Sequence, residues 1–239
     1  MFRNIQIYSD EGVSSFSLRC LVRSLENLNF KSELITAKNI IEDDWEKDTS
    51  IFIMPGGKDL KYLKKLKGKG NEKIKRFVEK GGSYLGICAG AYYASSFVEF
   101  NKGKELEVLG KRFLRFFPKK AIGPAYSEPR FCYDSYQGVK VPLIIYEFDE
   151  KVVDCFMYFH GGCYFEKDDK TKAIGKYSDL KKNALIYRKM HKGKVILTGV
   201  HIECSKDDIK DIDCALLGKL ESTENMRKKI FKDILNKLL

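Results

Sequence analysis

No stretch of this sequence comes near the ~18 consecutive apolar residues of a membrane-spanning helix. The longest candidate, Val141 to Phe148, is interrupted by Pro142 and Glu147. The amino-terminal residues Met-Phe-Arg-Asn-Ile-Gln run straight into a strand-like pattern and lack the basic, apolar and small-residue regions of a signal peptide. No membrane association and a cytoplasmic location are therefore expected. The seven cysteines are odd in number and include no Cys-x-x-Cys pair, which argues against a secreted disulfide framework. Most are expected to be small, reduced, buried side chains. Neither a Gly-x-x-x-x-Gly-Lys-Ser/Thr phosphate loop nor a Gly-x-Gly-x-x-Gly fingerprint occurs, so no nucleotide or other cofactor is expected. Internal repeats and low-complexity linkers are also missing. The 239 residues accordingly read as one domain, 1–239. With 44% apolar and 32% charged residues the chain can build a core and is not a disordered tail.

The net charge of +11 raises the question of nucleic acid. Residues 58–80 hold nine lysines and one arginine against Asp59, Glu72 and Glu79, or +7 of the total. Lysine is a poorer reader of bases and phosphates than arginine, and only Tyr62 and Phe77 are interleaved for stacking. Nucleic acid is not an expected partner, and the stretch reads as a solvated surface.

Asn4 to Tyr8 alternates as a short strand. Val13, Phe16, Leu21, Val22, Leu25 and Leu28 then follow helical spacing, with Ser14 and Ser15 near the start. Ser32 to Ile35 reads as a strand. Thr49 to Met54 and Ser83 to Ile87 read as strands buried on both faces, with a helix containing Ile74, Phe77 and Val78 between them. Lys194 to Val200 is another buried strand. Met226, Ile230, Ile234 and Leu238 mark a carboxy-terminal amphipathic helix. This alternation predicts an α/β fold with helices on both faces of a mostly parallel sheet. Glu107 to Phe165 reads instead as a β-rich extension or inserted cap, broken by glycine and proline.

The chemistry concentrates at Gly86-Ile-Cys88-Ala-Gly90, where a buried strand meets a helix. This is the pattern of a nucleophile elbow with cysteine in place of serine. Small flanking residues permit the tight turn, and the helix amino terminus favours thiolate over thiol. His201 follows the strand ending at Val200. If the segment is extended, Glu203 points to the same side and can fix the imidazole tautomer, leaving the other ring nitrogen for Cys88. Oxyanion donors are expected from the N–H groups of Ala89 and Gly57, the latter in the Pro55-Gly56-Gly57 loop.

Pro55-Gly-Gly57, Gly86-Ile-Cys88-Ala-Gly90 and His201-Ile-Glu203, in this order, resemble the class I glutamine amidotransferase-like superfamily. The longer strings Met54-Pro-Gly-Gly-Lys-Asp59, Tyr84-Leu-Gly-Ile-Cys-Ala-Gly-Ala-Tyr-Tyr-Ala-Ser95, Phe116-Phe-Pro118, Gly123-Pro-Ala-Tyr126 and Tyr158-Phe-His-Gly-Gly-Cys163 resemble the biotin–protein ligase N-terminal domain family. The resemblance spans roughly residues 51–203. It implies a flavodoxin-like three-layer sandwich and a triad of Cys88, His201 and Glu203. It also implies that Gly161 and its neighbours line the pocket, with His160 contacting substrate or capping a turn. The sequence departs from glutamine-using relatives at Tyr92, where they carry Gln, and at Ile202, where they often carry Pro. It also lacks the Gly-Arg-Gly-Arg-type loop with which biotin ligases hold biotinyl-adenylate.

Other groupings carry weaker signals. His160, Cys163, His201 and Cys204 form two His-x-x-Cys pairs, a candidate tetrahedral zinc set, ranked below the triad. Asp59 is expected to face the pocket or cap a helix. Of Tyr92 and Tyr93, one is expected in the pocket and one in the core. Arg112, Arg115 and Arg130 are candidates for clamping an acidic substrate group or for structural roles. His191 lies in a turn with no assigned function. The residues fit a cysteine hydrolase or amidotransferase-like enzyme acting on a small amide or related acyl compound, with a partner protein as recipient of any released ammonia. A non-catalytic binding or regulatory module of the same fold is the alternative. A redox or aldehyde-handling cysteine protein is the third.

Overall fold

The computed structural model describes residues 4–209 and 212–239. Residues 1–3, which begin the amino-terminal stretch discussed above, lie outside them. In chain order the elements are β1 (Asn4–Tyr8), α1 (Ser15–Asn27), β2 (Ser32–Ile35), α2 (Ala37–Glu42), β3 (Thr49–Met54), α3 (Asp59–Lys65), α4 (Lys69–Glu79), β4 (Ser83–Ile87), α5 (Ala89–Ala94), β5 (Ser95–Phe100), β6 (Val108–Lys111) and β7 (Phe117–Gly123). There follow β8 (Leu143–Phe148), β9 (Lys151–Phe156), β10 (Tyr164–Phe165), β11 (Lys172–Tyr177), β12 (Asn183–Met190), β13 (Gly193–Thr198), α6 (Cys214–Ser222) and α7 (Glu224–Leu238).

The thirteen strands among the described residues join one sheet. Its core is the parallel set β2-β1-β3-β4-β13, the flavodoxin-like order in which the chain reverses beside the first strand. Strands β1, β3, β4 and β13 are buried on both faces, and alternate residues serve different layers. Ile51 and Ile53 pack with Leu21 and Leu25 of α1 and Ile230, Phe231 and Ile234 of α7. Phe52 and Met54 pack with Ile40 of α2, Tyr62 of α3 and Ile74 and Phe77 of α4. Two helical layers thus cover the sheet.

The β-rich middle is an extension of this sheet. β12 runs antiparallel to β13, and β10, β7, β5 and β6 continue outward, with β11, β8 and β9 branching from β12. The extension begins earlier than the residue pattern indicates. The helix after Cys88 has six residues, and the chain enters β5 directly at Ser95, whose hydroxyl donates to the Ala91 carbonyl at 2.9 Å. Val98, Phe100, Phe117 and Ala121 of β5 and β7 join the core under α5. Among the described residues no helix is long and apolar enough to cross a membrane.

Candidate active site

The loops that follow β1, β3, β4 and β13 meet at the carboxyl edge of the parallel core, where open α/β sheets bind ligands. β4 ends at Ile87, and Cys88 takes φ 49° and ψ −104° before α5 begins. Such a conformation costs a non-glycine residue about 1–3 kcal/mol. It turns strand into helix within one residue and presents the thiol to a cavity. The Cys88 N–H donates to the Thr198 carbonyl at 2.9 Å, tying the elbow to β13. The flanking glycines are required by close approach. A Cβ on Gly86 would lie 2.7 Å from the Gly90 carbonyl oxygen, and one on Gly90 would lie 2.0 Å from that of Met54.

His201 comes from the end of β13. Its N–H donates to the Tyr158 carbonyl at 2.8 Å, and its Nδ1 lies 2.7 Å from Glu203 Oε1. The pairing is the expected one, but its cause differs. Ile202 and Glu203 form a turn, not an extended strand, so the carboxylate reaches the ring by folding back and not by strand alternation. Two further contacts fix that turn. Ser17 Oγ of α1 donates to Glu203 Oε1 at 3.1 Å, and Arg227 Nε of α7 donates to the Cys204 carbonyl at 2.9 Å. Cys88, His201 and Glu203 are all buried.

Burial pulls the His201 pKa down, but the Glu203 carboxylate and the hydrogen bond and charge of Cys88 outweigh it, leaving the imidazole well above its usual value. With Nδ1 on Glu203, Nε2 is the nitrogen left for the thiol. Cys88 Sγ also makes a long 3.8 Å contact to the His160 carbonyl.

The glycine loop after β3 faces the elbow. Gly56 donates its N–H to Ser17 Oγ at 3.1 Å, and its carbonyl accepts from Ser14 N–H at 2.9 Å and from the Tyr62 hydroxyl at 3.0 Å. Gly57 and Ala89 line the cavity with Cys88 and His201, and neither N–H is spent on a carbonyl of the surrounding loops. Among the described residues, both N–H groups are therefore open to a ligand in the cavity.

The remaining candidates divide. Tyr92 lines the cavity and donates to the Gly161 carbonyl at 3.1 Å, whereas Tyr93 turns into the core and donates to Asn71 Oδ1. His160 and Gly161 also line the cavity. His160 Nε2 lies 3.0 Å from the Gln137 carbonyl, and burial pushes its pKa down. Asp59, the first residue of α3, faces the cavity and pairs with Arg112 at 2.7 Å, and its carboxyl also accepts from the Asp59 and Leu60 amides of that first turn. Arg112 is therefore a buried structural partner, Arg115 donates to the Arg112 carbonyl, and Arg130 pairs with exposed Glu105. His191 lies 4.0 Å from Glu79, away from the site.

The His160–Cys163–His201–Cys204 zinc set does not assemble. Among the described residues, the group close enough to share an ion is His201, Glu203 and Cys204, and the first two are engaged with each other. Cys163 is fully buried, its backbone pressed against Gly199 and hydrogen-bonded by the Tyr177 hydroxyl at 2.8 Å.

Ser17, which bridges Glu203 and the Gly56 N–H, is a residue that the sequence reading missed. Its signal was available: it sits one turn before Leu21 on the buried stripe of α1, a polar residue where packing wants an apolar one. Phe131 and Tyr133, which line the cavity, come from an irregular segment with no periodicity to read.

The sequence matches the family described as Biotin-protein ligase, N terminal, over residues 3–239. It is 34% identical over 224 residues to the biotin–protein ligase of Schizosaccharomyces pombe, covering 88% of this chain and 35% of that protein. This chain thus spans about a third of the length of that relative. It is 36% identical over 211 residues to an uncharacterized protein of Chlamydia muridarum, covering 84% of this chain and 80% of the other. Among solved structures, PurLQS from Thermotoga maritima superposes with a TM-score of 0.59 at 17% identity, with both chains fully covered; at that identity the likeness is one of fold. The near-complete match, laid over the flavodoxin-like core that carries the Gly-Gly loop, the elbow and the His-Glu turn, places this chain in the biotin–protein ligase N-terminal family.

Proposed function

We propose that this protein is a cysteine-dependent hydrolase or amidotransferase-like enzyme acting on a small amide or related acyl compound. The observation that carries the reading is the His201–Glu203 pair at 2.7 Å set beside a thiol on a strained elbow. Cys88 Sγ attacks the carbonyl carbon after its proton has passed to His201 Nε2. The oxyanion sits against the N–H groups of Ala89 and Gly57. His201 returns the proton to the leaving amine, and water then cleaves the thioester with His201 as base. Glu203 holds the ring and offsets its charge. Glutamine is a poor fit for this site, because Tyr92 replaces the amide expected to hold it and locks onto Gly161. Biotin ligation by this chain is not proposed.

A panel of p-nitroanilides and p-nitrophenyl esters, with glutaminyl and biotinyl acyl groups among them, tests the reading. At least one acyl group is expected to give a burst equal to the enzyme present, lost in Cys88→Ala and in His201→Ala. Release that persists in Cys88→Ala, or none across the panel, contradicts it. The second reading, a non-catalytic binding module, is favoured by the place of this domain within a ligase about three times as long. It predicts saturable binding of an acyl compound that survives Cys88→Ala, with no burst.

A further inference from the structure

A carboxylate can orient an imidazole only if it is itself held in place. Glu203 is 2% exposed, and its two oxygens are served unequally. Oε1 lies 2.7 Å from His201 Nδ1 and accepts from Ser17 Oγ at 3.1 Å. Oε2 is buried and has no hydrogen-bond partner among the described residues. Apart from the ring it serves, Ser17 is therefore the one side chain hydrogen-bonded to this carboxylate among the described residues. A hydrogen bond to an ionised acceptor is about twice as strong as one between neutral groups.

The hydroxyl is aimed before it meets Glu203. A helical serine commonly bonds back to a carbonyl one turn earlier, whereas Ser17 reaches a residue 186 positions away. It is 1% exposed and shares the buried stripe of α1 with Cys20, Leu21 and Leu25, so no water competes for it. The Gly56 N–H donates to Ser17 Oγ at 3.1 Å. That occupies one lone pair and leaves the single O–H for the carboxylate. Gly56 is fixed in its turn, because its carbonyl accepts from Ser14 N–H at 2.9 Å and from the Tyr62 hydroxyl at 3.0 Å. Hydrogen bonds thus run from the glycine loop through Ser17 and Glu203 to His201, and each link polarises the next. Neither Ser17 nor Glu203 lines the cavity, whereas His201 and Cys88 do.

We propose that Ser17 is a positioning residue of this site, whose hydroxyl holds the Glu203 carboxylate in the orientation that directs His201 at Cys88. It acts through Glu203 and touches neither the thiol nor a ligand in the cavity. The inference rests on the reading of Cys88 as nucleophile, and its test separates the two.

The test measures alkylation of Cys88 by iodoacetamide at one pH, by peptide mapping, relative to exposed Cys214 in the same sample. Ser17→Ala is expected to slow Cys88 about fivefold, a part of the acid–base contribution that Glu203 supports. Ser17→Cys keeps a side chain of similar size but offers only a weak donor, and is expected to be as slow as Ser17→Ala. In a Glu203→Ala background there is no carboxylate left to place, so adding Ser17→Ala should slow Cys88 by less than about twofold. A serine that merely fills space gives the wild-type rate in Ser17→Cys and its full fivefold loss on top of Glu203→Ala. Either of those results, or an unchanged rate in Ser17→Ala, overturns the inference and leaves the nucleophile standing. Should Glu203→Ala fail to fold, the comparison of Ser17→Ala with Ser17→Cys still decides the matter. If wild-type Cys88 reacts no faster than Cys214, and His201→Ala changes nothing, the nucleophile reading itself falls and Ser17 has no triad to position.

Discussion

Glu203→Gln is expected to lower the His201 titration and to slow alkylation of Cys88 by about tenfold or more, the scale of a lost acid–base contribution. The amide keeps the size of the side chain and an acceptor for Nδ1, so the change isolates charge. In the wild type, burial disfavours the imidazolium and the Glu203 carboxylate heads the influences that overcome it. Without that carboxylate, burial dominates and the pKa falls. The chain has three histidines, so the imidazole proton resonances can be assigned by single substitutions. The linkage has a definite sign. Because the folded-state pKa of His201 is raised, its contribution to stability is complete below the ordinary value of about 6.5 and is lost as pH rises through the raised value. Glu203→Gln should flatten that part of the stability profile. An unchanged His201 titration would contradict the electrostatic account of the pair.

Gly56→Ala is expected to damage fold and site together. Its Cβ would lie 2.7 Å from His201 Cε1 and 3.1 Å from Ser17 Oγ. Both neighbours are buried and held, the ring by Glu203 and the hydroxyl by Glu203 and the Gly56 N–H. Neither can retreat without breaking one of those bonds. Overpacking of this kind costs about 1–3 kcal/mol, which lowers Tm by roughly 2–4 °C per kcal/mol in a chain of this size. Thermal unfolding should show that loss, and Cys88 should alkylate no faster than exposed Cys214. A variant with wild-type Tm and wild-type alkylation would show that the loop does not brace the imidazole.

The residues that announced themselves were those under a local rule. The apolar runs Thr49–Met54 and Ser83–Ile87 can be satisfied only between two helical layers, and they are β3 and β4. Gly86 and Gly90 flank a turn that no larger residue permits, and that requirement, joined to the strand before it and the helix after it, pointed to Cys88. The His201–Glu203 contact was anticipated with the wrong local structure, because two residues that share a face in a strand can also meet through a turn. Non-local contacts had no such marker. Asp59 and Arg112 are 53 positions apart, and only the folded chain brings them together. Ser17 reaches Glu203 across 186 positions. The zinc set failed for the same reason: spacing alone placed Cys163 with His201, and the packing of the Gly161-Gly162 loop against β13 sent its side chain into the core.

The most direct test of the assembled triad is the alkylation rate of Cys88 by iodoacetamide across pH, resolved from the other cysteines by peptide mapping, in the wild type and in His201→Ala. The account predicts that Cys88 is the fastest of the seven cysteines despite its burial, and that loss of the imidazole slows it by about tenfold or more. A Cys88 that reacts like exposed Cys214, or at the same rate with and without His201, would contradict it.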